Sequence, residues 1–129
     1  MMNMRKLLLI VILLTIILSG CGNAYRKITA EEAYKMQAAG AGAIFLDVRT
    51  SEEFSEKRIN GAVLIPDYEI KTRVESEIPD KKALIFIYCR SGNRSAKAAH
   101  IMIDIGYSNV YDLGGIIDWS YDTVSDRKD

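Results

Sequence analysis

Hydrophobic residues along this chain gather into short continuous runs divided by polar stretches. Ala43-Ile44-Phe45-Leu46, Ala62-Val63-Leu64-Ile65 and Ala83-Leu84-Ile85-Phe86-Ile87-Tyr88 are apolar throughout, and Asn109-Val110-Tyr111 is a shorter run of the same kind. The first ends at Asp47 and the second at Pro66, the pattern of buried strands. The polar stretches between them carry helix signals. Thr29-Ala30-Glu31-Glu32 has capping-box spacing and predicts a helix from Thr29 to the Gly40 region. Ser51 to about Lys57 predicts a short acidic helix, and Tyr68 to Ile78 alternates charge and aliphatics near the helical period. Ser95 to Ile105 predicts a further helix, ended by Gly106. Strands apolar on both faces, alternating with helices, imply an α/β fold with one central parallel sheet and helices on both faces. Ligands of such sheets bind beyond the carboxyl ends of the strands. The loop leaving the strongest strand begins with Cys89.

One apolar run is of a different kind. Leu7 to Leu18 is broken only by Thr15 and follows Arg5 and Lys6. As a helix it would span about 18 Å, well short of the roughly 30 Å hydrocarbon core of a bilayer, so it reads as a secretory signal and not as a spanning segment. Its end, Leu18-Ser19-Gly20-Cys21, resembles the lipobox of bacterial lipoproteins. That resemblance implies cleavage before Cys21, lipidation of its thiol and residence in the cell envelope, anchored to a bacterial membrane outside the cytoplasm. The expected organisation is a signal over 1–20, a lipidated tether over 21–26, one domain over 27–122 and a polar tail over 123–129.

Composition narrows the picture. A chain of 129 residues, 49% hydrophobic and 26% charged, suits one compact globular domain. The 17 basic and 17 acidic residues cancel, and loss of Arg5 and Lys6 would leave a formal charge of −2, so no basic excess points to nucleic acid. The single histidine, His100, excludes a histidine-cluster metal site. With Cys21 lipidated, Cys89 is an unpaired thiol in a compartment where thiols pair. It is either buried and inert or kept for chemistry.

The segment Tyr88-Cys89-Arg90-Ser91-Gly92-Asn93-Arg94-Ser95 favours chemistry. A thiol between a strand end and a helix N-terminus meets the positive end of the helix dipole, and Arg90 and Arg94 favour its charged form further. Gly92 allows successive N–H groups to curl around one centre, and Ser95 is placed to cap the helix. Cys89-Arg90-Ser91-Gly92-Asn93-Arg94-Ser95 resembles the active-site loop of single-domain rhodaneses. Leu46-Asp47-Val48-Arg49-Thr50-Ser51-Glu52-Glu53-Phe54 with Ile59-Asn60-Gly61-Ala62 resembles the family's upstream signature, and Gly106 to Ile116 with Trp119 its C-terminal block. The resemblance implies a single rhodanese-like domain and a ping-pong sulfur transfer in which Cys89 becomes a persulfide. Residues 90 to 94 would bind the substrate: Arg90 and Arg94 as anion-guiding and loop-organising charges, with the backbone amides of Arg90, Ser91, Gly92, Asn93 and Arg94 around the outer sulfur. Its implied partners are a small sulfur-containing anion and a thiol or cyanide-like acceptor, with a protein acceptor as a further option, and no metal or organic cofactor is required. Related cysteine phosphatases and arsenate reductases use a longer loop than the six residues from Cys89 to Arg94. A non-catalytic sulfur-carrying or protein-binding module is the other alternative.

The remaining residues are read more plainly. Asp47 and Arg49 are expected to brace the loops. His100 lies about three helical turns beyond Cys89, too far for a Cys–His pair. Gly114-Gly115 reads as a tight turn, and Trp119 as core. Arg58 departs from the family, where a histidine often stands, and is expected to make a surface contact. The end of the chain lacks the family's Gly-Leu-Pro and is expected to fray.

Overall fold

The computed structural model describes Asn3 and residues 25–128, so Leu7 to Leu18 and Cys21 lie outside the described residues. In chain order the elements are β1 (Arg26–Lys27), α1 (Ala30–Ala38), β2 (Ile44–Asp47), α2 (Ser51–Glu56), β3 (Arg58–Ile59), β4 (Val63–Leu64), α3 (Ile70–Glu77), β5 (Ile85–Cys89), α4 (Asn93–Asp104), β6 (Val110–Gly115) and β7 (Thr123–Val124). Short 3-10 turns occupy Asp67–Glu69 and Ile116–Asp118. Among the described residues no helix is long and apolar enough to cross a membrane.

Five strands form one sheet in the order β1-β6-β5-β2-β4, every pair parallel. This is the expected α/β architecture. β5 is central and all five of its residues are buried, which explains its unbroken apolar sequence. Successive side chains alternate between the two faces. Ile85, Ile87 and Cys89 join Leu46, Val48, Val74, Ala98 and Met102 in one core, under α3 and α4. Phe86 and Tyr88 join Phe45, Ala33, Ile116 and Trp119 in the other, under α1. Each fully buried aliphatic here contributes about 1.5–3 kcal/mol. Tyr107, also buried, closes the end of α3: its hydroxyl donates to the Val74 carbonyl at 3.1 Å and can also reach that of Ile78.

Helix ends follow the sequence with two shifts. Thr29 caps α1 as expected, its Oγ accepting from the Glu32 amide at 3.1 Å. The full reciprocal box is instead at Thr50: Thr50 Oγ accepts from the Glu53 amide and Glu53 Oε1 from the Thr50 amide. α4 opens two residues earlier than expected, at Asn93, after Gly92. The end of the chain is docked, not frayed. Thr123 and Val124 pair antiparallel with Ile59 and Arg58, and the Asp126 amide donates to the Ser55 carbonyl at 2.9 Å. Residues 123–126 therefore pack on the domain, where a free polar tail was expected. At the other end Arg26, expected in the tether, forms part of β1 opposite Tyr111.

Candidate active site

Cys89 is the last residue of β5, so its position is set by the central strand. The residue is 1% exposed, and its Sγ faces the loop that follows. Among the described residues the Gly92 amide is the one backbone donor on that sulfur, at 3.0 Å, and Ser95 Oγ lies 3.6 Å away. Gly92 can bring its amide back because it sits at φ 112°, a conformation side-chain-bearing residues avoid. It is also the residue preceding α4, and no side chain caps the helix. Ser95 does not cap as expected. As the third helical residue it is one turn too late, and its hydroxyl donates to the Gly92 carbonyl at 3.0 Å while facing the thiol.

Two ion pairs flank the loop. Arg94 was expected as an anion-guiding and loop-organising charge, and both of its terminal nitrogens lie on Glu53, at 2.7 Å to Oε1 and 3.0 Å to Oε2. The Arg94 hydrogen bonds hold the Glu53 carboxyl down to about 2 against its usual 4.5, despite the opposing effect of burial. Asp47 and Arg49 form the second pair, at 2.7 Å between Oδ2 and Nη2, and both residues are buried. The Arg49 amide also donates to Asp47 Oδ1 at 2.9 Å, and its guanidinium lies over the Tyr88 ring at 5.6 Å. Burial, then the charge of Asp47, pushes the Tyr88 hydroxyl well above the usual range, so it stays neutral and accepts from the Ile59 amide at 3.2 Å.

The Rhodanese-like domain family matches residues 29–122. The chain belongs to this family. It is 35% identical over 74 residues to thiosulfate sulfurtransferase PspE of Escherichia coli K12, covering 57% of this chain and 71% of that protein. A sulfurtransferase of Allochromatium vinosum is 36% identical over 95 residues, covering 73% and 87%. Among solved structures, a rhodanese with anions from E. coli superposes with a TM-score of 0.61 at 32% identity, covering 64% of this chain and 98% of the other. A rhodanese-related protein of Thermoplasma volcanium gives 0.67 at 29%, covering 78% and 98%.

Within this rhodanese-like domain the other expected site residues are partly brought together. Arg90, Ser91 and Asn93 are exposed on the loop, and no ion pair to Arg90 is found among the described residues. Ser91, Gly92 and Asn93 line a cleft of about 560 Å³ together with Lys27, Thr29 and Glu32. His100 is exposed and meets Tyr25 edge-on at 4.7 Å, away from the sulfur as expected. Trp119 is core.

Four residues were not singled out as part of the site. Glu53 lies in the segment Leu46 to Phe54, but only the fold reveals its partner 41 positions away. Asp112 is buried and accepts from the Gly114 amide at 2.9 Å. Gly114-Gly115, expected as a tight turn, ends β6 after a register shift opposite Ile87 and Tyr88. A Cβ on Gly115 would collide with the Arg90 carbonyl oxygen and come within 2.8 Å of the Ser91 Cα. The glycine is what lets β6 press against the Cys89 loop.

Gly115→Ala is expected to lower stability by about 1–3 kcal/mol in a denaturant titration, because backbone atoms must yield. An unchanged midpoint would show that the loop is free to move. Glu53 sets a pH dependence of known sign. Its folded value lies below its unfolded one, so its stabilisation is complete above about 4.5 and is lost as pH falls toward about 2. Glu53→Gln is expected to flatten that acid limb in thermal melts taken from pH 6 downward.

Proposed function

We propose that this protein is a sulfurtransferase that carries sulfane sulfur on Cys89 as a persulfide. The observation carrying the proposal is the placement of the Cys89 sulfur, 3.0 Å from the Gly92 amide at the N-terminus of a 12-residue helix. Negative charge on sulfur there is met by an N–H donor and by the helix dipole. In the first half-reaction the Cys89 thiolate attacks the outer sulfur of a donor such as thiosulfate. The donor's S–S bond breaks and sulfite departs with the electron pair, leaving a Cys89 persulfide. A nucleophilic acceptor then attacks the outer sulfur, and Cys89 leaves as thiolate. The same amide serves both steps, because the sulfur is anionic before the first and again after the second. Thiosulfate as donor is supported by the name of the E. coli relative.

Arg94 weighs against phosphate ester or arsenate chemistry. Its charge is already balanced by Glu53, and the loop from Cys89 to Arg94 has six residues, shorter than that of the related cysteine phosphatases and arsenate reductases. Cys89→Ser is expected to abolish conversion of thiosulfate and cyanide to thiocyanate, and activity surviving that change would reject the mechanism. Mass spectrometry of protein isolated without reductant is expected to find one extra sulfur on the peptide holding Cys89.

We propose further that the protein is exported and held on a membrane through lipid on Cys21, on the support of the Leu18-Ser19-Gly20-Cys21 segment. Cys21→Ser is expected to shift the protein from the membrane to the soluble fraction and to abolish labelling by a fatty-acid analogue. Labelling retained by the variant would remove this part of the proposal.

A further inference from the structure

We propose that Arg58 and the C-terminal segment Thr123–Arg127 form a strap that positions α2, and through Glu53 the Arg94 side chain beside the sulfur. The need for such a device follows from α2 itself. The helix has six residues, about 9 Å of length, and none of them is buried. A helix so short, with no fully buried residue, does not hold itself in place. Yet Glu53, at its centre, must offer both carboxylate oxygens to Arg94 at 2.7 and 3.0 Å.

The start of α2 is fixed by the Thr50 cap. Its C-cap carbonyl, Lys57, accepts from the buried Arg49 guanidinium, and the turn before it is held by Arg58 and the tail. Arg58 Nη1 donates to the Phe54 carbonyl at 3.2 Å, and its guanidinium lies over the Phe54 ring at 4.5 Å. The Ser55 carbonyl accepts from the Asp126 amide at 2.9 Å, and Glu56 pairs with Arg127 at 2.9 Å. The last pair is exposed on both sides and contributes little. The clasp is Arg58 Nη2 on Asp126 Oδ1 at 2.8 Å, with the Arg58 side chain 19% exposed. It sits where β3 and β7 pair at Arg58–Val124 and Ile59–Thr123. Phe54, Ser55 and Glu56 are thus each tied to Arg58 or to the end of the chain, and Arg58 is a positioning residue that touches no reacting atom.

The proposal rests on the sulfur-transfer reading, so its test has two independent readouts in the full-length chain. The first is a double-mutant cycle on kcat and KM for thiosulfate. Arg58→Ala is expected to lower kcat/KM about tenfold. Adding it to Glu53→Ala is expected to cost nothing further, because the first acts through the second. Arg58→Asp combined with Asp126→Arg is expected to restore most of what either loses alone. Losses that multiply in the cycle, or Arg58→Ala within about twofold of wild type, would overturn the strap. Asp126→Asn serves the same purpose should Arg58→Ala not fold. The second readout is exchange of the Arg94 guanidinium protons followed by NMR. They are expected to be protected in the wild type and to lose protection in Asp126→Asn, whereas retained protection overturns the strap whatever the activity. A wild type that transfers no sulfur, with the loss of protection still seen in Asp126→Asn, sinks the sulfur reading and leaves the strap standing.

Discussion

A sulfur atom sealed at the end of a buried strand must find its polar partner in the loop that leaves the strand. In this domain that partner is the Gly92 amide, 3.0 Å from Cys89 Sγ, and a chain of steric conditions follows from it. Turning the amide back on the sulfur requires φ 112° at Gly92, which a Cβ would oppose. Folding the loop that tightly brings the Arg90 carbonyl and Ser91 Cα against β6, where only a residue without a side chain fits, and Gly115 is that residue. The register shift between β5 and β6 puts Gly115 opposite Cys89. The irregularity in an otherwise regular parallel sheet thus falls where the loop needs room.

Charge is arranged around this contact in a way that separates support from attraction. Arg49 is spent on Asp47, a pair buried so fully that removing either partner would strand a charge. That pair abuts Tyr88, the residue before Cys89. Arg94 is spent on Glu53, which leaves little net charge from either side chain near the sulfur. What remains positive at the loop is the exposed Arg90, the N-terminus of α4 and the Gly92 amide. The fixed dipoles lie at the sulfur and the mobile charge lies outside, an order suited to drawing an anion in without holding it as tightly as a paired arginine fork would.

Much of this was legible in the sequence because its signals are local. The parallel sheet was written in runs such as Leu84-Ile85-Phe86-Ile87, and the nucleophile in its place between that strand and a glycine-containing helix start. The signals that failed were those that need a partner far along the chain. Glu53 carries nothing that distinguishes it from Glu52 until Arg94 is brought beside it. Arg58 and the polar residues after Tyr121 each look like ordinary surface, and they become a strand pair only when Thr123 meets Ile59. Gly114-Gly115 was read as a turn because adjacent glycines permit one, whereas close approach between two segments was the actual demand. Ser95 was misread by one helical turn, because a glycine in the left-handed region had already taken the position before the helix.

The burial of Cys89 has a consequence for the proposed chemistry. At 1% exposure the thiol is a poor target for any bulky reagent. Adding one sulfur extends the side chain by the length of an S–S bond, about 2 Å, and carries the reactive atom outward from the strand end into the mouth of the loop. The acceptor of the proposed reaction would then need to reach only that outer sulfur, with Cys89 Sγ, the leaving atom, beside the Gly92 amide. A donor in turn must present a sulfur that protrudes, as the terminal sulfur of thiosulfate does, since nothing wide can follow it to the strand end. Under the proposed chemistry selectivity for sulfane sulfur would come from the depth of Cys89, and the charge outside would decide which molecules arrive to offer it.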